Sequence, residues 1–128
     1  MPENSHRHND RGRRSEDYIR RKHDLEECPE DWCDAINPRT GSRHEVKTCL
    51  PGKRFRLWED NHRSLAAAHG QNAAWYYFVV VTKSGNVVRE KRMKAPTVTR
   101  LVNERGGWNK SGHRRGSRQL KIPESEIF

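Results

Sequence analysis

Apolar residues are scarce in this 128-residue chain. Only 31% of its residues are hydrophobic and 34% are charged, and its mean hydropathy is −1.20. No run of about 18 apolar residues is present, which excludes a membrane-spanning helix. No charged-then-apolar leader opens the chain, so we expect a cytoplasmic protein with no membrane partner. The length predicts one domain with a small core.

Cysteine is also scarce, at Cys28, Cys33 and Cys49, and no C-x-x-C pair occurs. An odd number of cysteines at this spacing favours reduced thiols that pack as small hydrophobic residues. The alternative is a zinc site in which His23 or His44 supplies a fourth ligand.

Acidic residues are few in the second part of the chain. Residues 51–128 contain 16 lysines and arginines but only 6 acidic residues, whereas residues 1–50 contain 10 basic and 11 acidic residues. A basic excess confined to one part of a chain is typical of a protein that binds a polyanion, most commonly DNA or RNA. The alternative is a basic surface that serves solubility alone.

The order of elements indicates an α/β domain in which helices flank a small mixed sheet. Residues 1–14 have no apolar anchors, and we expect them to form a disordered basic arm before a single domain over residues 15–128. Periodicity and turn residues predict helices over 15–27, 55–69 and 96–103, and strands over 31–36, 43–50, 75–82, 87–93 and 119–122.

The predicted hairpin over residues 31–50 brings two carboxylates and a lysine together. Asp34 lies on its first strand, and Glu45 and Lys47 share one face of the second, because side chains alternate along a strand. Two carboxylates can hold Mg²⁺, which activates a bound water, and a lysine can orient that water or stabilise developing negative charge. The pattern therefore indicates a hydrolytic centre for a phosphodiester. The alternative is an exposed cross-strand ion-pair cluster.

This pattern resembles the PD-(D/E)xK nuclease superfamily, in which an Asp on one strand and a Glu-x-Lys on the next form the site. Here Asp34 precedes Glu45-Val46-Lys47 by ten intervening residues. Glu16, on the preceding helix, is similar to the helix carboxylate that joins the metal site of archaeal Holliday-junction resolvases. The resemblance implies a restriction-endonuclease-like fold over residues 15–128 and a homodimer that cuts DNA.

The same resemblance implies a Mg²⁺-dependent endonuclease, with Mn²⁺ as a substitute ion. It gives Asp34, Glu45 and Lys47 catalytic roles, and makes Glu16, Asp34 and Glu45 the metal ligands. Branched DNA, as in recombination and repair, is the substrate that the resolvase likeness implies.

Cations that follow this motif are the predicted contacts to nucleic acid. They are Arg54, Arg56, Lys91, Arg92, Lys94, Arg114 and Arg115. Trp108, in a basic stretch rich in glycine, is the best candidate for stacking on a base. The main alternative function is a non-catalytic nucleic-acid-binding protein, and another is a recruitment or inhibitor protein whose acidic first part contacts a partner.

Overall fold

A five-stranded mixed sheet and a separate two-stranded sheet form the framework of the protein. The computed structural model describes residues 3–109 and 116–128. The helices are α1 (Glu3–His23), α2 (Glu59–Ala68), α3 (Ala95–Glu104) and α4 (Glu124–Ile127). The strands are β1 (Glu26–Glu27), β2 (Ala35–Ile36), β3 (Arg43–Cys49), β4 (Arg54–Trp58), β5 (Ala74–Val81), β6 (Val87–Lys94) and β7 (Gln119–Pro123). The larger sheet has the order β1-β2-β3-β5-β6, and β4 pairs with β7.

The apolar strand β5 is central and buried on both faces, as its sequence predicts. It runs parallel to β3 and antiparallel to the edge strand β6. On one face Tyr77 and Val79 pack with Ile19 of α1. On the other face Phe78 belongs to the core formed with Leu65 of α2 and with α3. The helices on both faces confirm the predicted α/β class, because a strand apolar on both sides must be covered on both sides.

Helix α1 begins at Glu3, so the prediction of a disordered arm is wrong for residues 3–14. Packing of Ile19 against the sheet fixes the later turns of the helix. Each further residue then adds one backbone hydrogen bond at little entropic cost, so the helix extends into sequence that offers no apolar anchor. Among the described helices, none has the length of apolar sequence that a membrane crossing needs.

Strand β4 occupies residues that the sequence predicts as the first turn of a helix. The helical prediction over 55–69 follows from the spacing of Phe55, Trp58 and His62. In the structure Phe55 and Leu57 are buried while Arg54 is exposed, which is the alternation of a strand. Pairing with β7 overrides the helical spacing, and α2 begins only at Glu59.

Cys28 and Cys33 form a disulfide, which corrects the prediction of reduced thiols at these two positions. Their Cα atoms are 5.8 Å apart, within the normal range for a disulfide. Cys49 is free and buried in the core, as predicted for a cysteine that packs as a small hydrophobic residue.

Candidate active site

Asp34 reaches the middle of β3 because β2 is shorter than the sequence predicts. The pairing of β2 with β3 covers only Ala35 opposite His44 and Ile36 opposite Arg43. The side chain of Asp34 then takes the place of a further strand residue, since its Oδ2 accepts a hydrogen bond of 2.8 Å from the backbone N–H of Val46. This bond fixes the Asp34 carboxylate beside Glu45.

Three carboxylates form a group that we name the carboxylate cluster. They are Glu16 of α1, Asp34 just before β2, and Glu45 of β3. Asp34 lies within hydrogen-bonding reach of both Glu16 and Glu45. Burial and the neighbouring charge of Asp34 raise the pKa of Glu16 to about 7. Burial, followed by the hydrogen bond with Asp34, raises the pKa of Glu45 well above its usual range. Without a cation, the surroundings of the cluster therefore favour the protonated form of both glutamates.

Lys47 is the one lysine beside the cluster among the described residues. Its Nζ lies 3.9 Å from Oε2 of Glu45, and both side chains project from the same face of β3. The charge of Lys47 lowers the pKa of Glu45 but does not outweigh the opposing effect of burial. An ammonium group thus lies beside the carboxylates, where it would stabilise negative charge on a phosphate held by a metal ion at the cluster.

Two residues that the sequence analysis missed hold the cluster in position. The Nδ2 of Asn61, at the start of α2, donates to Oε2 of Glu45 over 3.3 Å. Arg20 lies 3.9 Å from Glu16 and donates to the backbone oxygen of Asp34 over 3.3 Å. The four-residue spacing between Glu16 and Arg20 on one helix is a signal that could have identified Arg20. The contact of Asn61 depends on tertiary packing and leaves no local signal.

A buried polar chain lies on the α2 side of the cluster. Burial, and after it the charge of Glu45, raises the pKa of Tyr76 well above its usual range. The Tyr76 hydroxyl and His62 Nδ1 are 2.8 Å apart, and His62 Nε2 lies 2.7 Å from the Thr99 hydroxyl. His62 is therefore a packed histidine, as its place on the apolar face predicts. These contacts satisfy the buried polar atoms of Tyr76 and His62.

The donor set fits a hard divalent cation. Carboxylate oxygens are the ligands that Mg²⁺ and Mn²⁺ prefer, and Mg²⁺ needs only one or two of them because it keeps several waters. Asp34 forms a close pair with Glu45 and another with Glu16, so two such ligands are available at the centre of the cluster. Burial is the main cause of the raised pKa of both glutamates, and a cation there would favour their charged forms.

A different set of ligand types lies nearby, in the loop before β2. In the described part of the chain, Cys28, Glu30 and Cys33 are the three side chains whose ligand atoms all lie within 4.8 Å of one another. The sulfur atoms of Cys28 and Cys33 are bonded to each other. One carboxylate oxygen of Glu30 is paired with Arg43 at 2.5 Å. Neither His23 nor His44 belongs to this group, so the zinc alternative that uses them is not supported.

The predicted nucleic-acid contacts that the structure describes lie on two different strands, β4 and β6. Arg54 and Arg56 lie on the outward face of β4, in the wall of a groove that also contains Lys47. On β6, Lys91 donates to the backbone oxygen of Ile127 over 3.0 Å, and the Arg92 guanidinium lies 3.9 Å from the centre of a tryptophan ring. Lys94 lies 5.4 Å from the same ring, that of Trp75. Arg114 and Arg115 fall outside the described residues.

Trp108 is not an exposed stacking platform, contrary to the prediction. It packs against the core, and its ring centre lies 5.6 Å from that of His62. The residues next to it in sequence offer no apolar surface, but α2 and α3 provide one through tertiary contact.

Comparison with known proteins agrees with this geometry. A family model described as PD-(D/E)XK nuclease superfamily domain matches residues 2–128. No curated protein matches the chain. Nucleases of this superfamily typically use divalent metal ions, in accord with the carboxylate cluster. The mixed sheet flanked by helices is consistent with their restriction-endonuclease-like fold. Because the match spans almost the whole sequence, this chain belongs to the PD-(D/E)XK nuclease superfamily.

Proposed function

We propose that this protein is a metal-dependent endonuclease that hydrolyses phosphodiester bonds of DNA at the carboxylate cluster. The observation that carries the proposal is the convergence of three carboxylates, from three separate elements, beside Lys47 and at one end of a cationic groove. An ion-pair cluster that served stability alone would hold the pKa values of its carboxylates low. Here the pKa values of two glutamates stay raised, although Arg20 and Lys47 each lie 3.9 Å from one of them.

Each residue has a role in this mechanism. Asp34 and Glu45 would hold the divalent ion, Mg²⁺ or Mn²⁺, with Glu16 on the other side of Asp34. When bound, the ion supplies a water of lowered pKa and shields the charge of the phosphate. Lys47 orients the attacking water or stabilises the negative charge that develops on the phosphate oxygens. Asn61 keeps the Glu45 carboxylate turned toward Asp34 through its hydrogen bond.

The substrate that we propose is branched DNA, and the working form is a homodimer. The support is the resemblance of Glu16 to the helix carboxylate of archaeal Holliday-junction resolvases. Two copies of the chain would place two carboxylate clusters on two strands, as cleavage of a four-way junction requires. DNA repair or recombination is the process that such an activity would serve.

Cleavage of labelled duplex, flap and four-way-junction DNA in Mg²⁺ tests the proposal. We expect wild type to cut, and Glu45→Gln and Lys47→Gln each to lose about 100-fold or more of the rate, as removal of charge stabilisation at a reacting phosphate does. Glu90→Gln is the matched control, because it neutralises another partly buried glutamate on the same sheet, outside the cluster. It should cut at nearly the wild-type rate.

The rival function gives a different set of results. A non-catalytic nucleic-acid-binding protein would bind these DNAs in a salt-sensitive manner, cut none of them in Mg²⁺ or Mn²⁺, and bind equally well as Glu45→Gln. That outcome would contradict the proposed activity. Preference for the junction over the duplex, together with a dimeric mass in solution, would support the resolvase-like form. Equal cutting of all three DNAs would contradict it.

A further inference from the structure

The two-stranded sheet of β4 and β7 has one apolar face and one basic face. Phe55 and Leu57 point into the core, opposite Ile122 and Leu120 of β7. The outward face of β4 carries Arg54, Arg56 and Trp58, and that of β7 carries Gln119 and Lys121. The inner face explains why the sheet is stable. The outer face, with three cations on two short strands, contributes nothing to the core.

This basic face forms one wall of a groove of about 700 Å³. The floor of the groove is the edge of β3 and the turn after it, and the middle of α1 forms the opposite wall. Twelve residues line it, among them the cations Arg11, Lys47, Lys53, Arg54, Arg56 and Lys121. Six of the twelve are lysine or arginine, and none is acidic. We name it the basic groove.

Among the described residues, most cations of the basic groove have no carboxylate partner, whereas several cations elsewhere do. Arg43 pairs with Glu30, and Arg118 with Glu59. Among the salt bridges of the described residues, Lys47 makes the single pairing that involves a groove cation, at 3.9 Å from Glu45. The other five cations therefore add to one another and produce a positive potential along the groove.

The register of the small sheet places two of these cations directly opposite each other. Arg56 of β4 is the cross-strand partner of Lys121 of β7. Like charges at opposed positions of an antiparallel pair are destabilising unless an anion lies between them. The Arg56 guanidinium also lies 5.9 Å from the centre of the Trp58 ring, which limits the directions it can take. The arrangement costs stability in the free protein and suits a bound anion.

The basic groove leads to the carboxylate cluster through an open strand edge. Beyond His44, β3 has no strand partner on the side away from β5 within the described part of the chain. This free edge forms the floor of the groove, and Lys47 belongs both to the groove lining and to the surroundings of Glu45. A linear polyanion lying in the groove would therefore pass beside the cluster.

The geometry points to the basic groove as the surface that binds the DNA backbone, with the β4–β7 face as its main wall. Arg54, Arg56 and Lys121 contact phosphates and direct one strand toward Lys47. This inference rests on the proposed function for the identity of the polyanion. Among the predicted contacts it favours the pair on β4 over the cations of β6, because Lys91 and Arg92 are already engaged with Ile127 and Trp75.

Binding of a short fluorescent DNA duplex, measured by anisotropy in EDTA over a range of salt concentrations, tests the inference without cleavage. We expect Arg54→Gln/Arg56→Gln to bind about tenfold or more weakly than wild type, and to lower the slope of log affinity against log salt by about 2, because two phosphate contacts are lost. The matched control is Lys83→Gln/Arg100→Gln, which removes two exposed cations that lie outside the groove lining. It should bind within about twofold of wild type.

Two further variants and a stability measurement allow each outcome of the binding experiment to be interpreted. Lys121→Gln tests the same wall from the other strand, and thermal unfolding of every variant shows whether the fold is intact. Wild-type affinity in both groove variants, with weakened binding in Arg92→Gln/Lys94→Gln, would overturn the inference. Tighter binding of an RNA duplex than of the DNA duplex would overturn the choice of DNA.

Failure of the proposed function is distinguishable from failure of this inference. Glu45→Gln should bind DNA as wild type does while it fails to cut. If wild type cuts nothing but the groove variants still lose affinity, the binding surface stands and the hydrolytic function fails. If Glu45→Gln abolishes cutting but the groove variants bind and cut as wild type does, the function stands and the groove assignment fails.

Discussion

Helix α1 borders two carboxylate sites of opposite character. Glu90 of β6 accepts hydrogen bonds from the Tyr18 hydroxyl at 2.6 Å and from Lys22 at 2.7 Å, and its other oxygen lies 3.2 Å from His23. Burial acts to raise the pKa of Glu90, but these three contacts outweigh it and hold the pKa below its ordinary value. Glu16, two residues before Tyr18, has a pKa raised to about 7 by burial and by Asp34.

Glu90 is a structural anchor for α1, whereas Glu16 belongs to the candidate active site. Both carboxylates are partly buried, so burial alone does not distinguish them. What differs is the charge of the neighbours. Donors and cations surround Glu90, whereas the charge of Asp34 beside Glu16 outweighs that of Arg20. Glu90 therefore joins α1 to the sheet, while Glu16 contributes charge that a cation can use.

The largest difference between the two sites should appear in activity. Asp34→Asn keeps an oxygen for the Val46 N–H but removes the charge shared with both glutamates, so we expect cleavage to fall about 1,000-fold with the fold intact. Cleavage rates in Mg²⁺ and in Mn²⁺ measure the effect, and urea unfolding of the same variant checks the fold. A rate within tenfold of wild type would mean that Asp34 does not hold the metal. The carboxylate cluster would then have a structural role, as Glu90 has.

A smaller effect, on stability, is expected at the anchor. Glu90→Gln weakens the contacts with Tyr18, Lys22 and His23, and should lower the free energy of unfolding at pH 7 by about 1–2 kcal/mol. The folded-state pKa of Glu90 is depressed below its ordinary value of 4.5. Its contribution to stability is therefore present above pH 4.5 and is lost as the pH falls through the folded-state pKa. Urea unfolding at pH 7 and at pH 4 measures the difference between variant and wild type, which should shrink at pH 4.

The smallest effect is expected at Glu16, where the substitution should increase stability. Glu16→Gln should raise the free energy of unfolding by about 1 kcal/mol at pH 8 in EDTA, a value reduced because solvent reaches this side chain. A folded-state pKa raised from 4.5 to about 7 makes wild type lose stability as pH rises through that interval, so the advantage of the variant should vanish below pH 4.5. The measurement is urea unfolding of the pair across this pH range.

Adding Mg²⁺ gives a second test of the role of Glu16. Mg²⁺ at pH 8 should stabilise wild type more than Glu16→Gln, because a ligand that binds only the folded state adds stability according to its affinity. An equal response of the two proteins to Mg²⁺ would mean that Glu16 is not part of the metal site. A destabilised Glu16→Gln at pH 8 in EDTA would mean that Glu16 is an anchor like Glu90.

Sequence alone was sufficient for the parts of this fold that local patterns specify. The double-sided apolar run of β5, the turn at residues 37–41 and the alternation along β3 predict the central strand and the shared face of Glu45 and Lys47. The position of Asp34 beside them follows from the same hairpin. The catalytic roles of these residues stay predictions, because geometry places the groups together without measuring their chemistry.

Contacts between distant segments account for what the sequence did not predict. β4 is a strand because β7 supplies its partner, and nothing near Arg54 in the chain carries that information. Trp108 packs against His62 of α2, which is remote in sequence, and Asn61 meets Glu45 only after α2 packs on β3. The extension of α1 to Glu3 depends on a helix already fixed by Ile19.

The open edge of β3 also bears on aggregation. An unpaired strand edge is a template for pairing with another chain, and proteins protect such edges with charge. Here the Asp34 carboxylate occupies the Val46 N–H, and like-charged cations line the remainder, so a second copy approaching edge to edge would meet repulsion. The charges proposed to serve hydrolysis and DNA binding thus also keep this edge from assembling into intermolecular sheet.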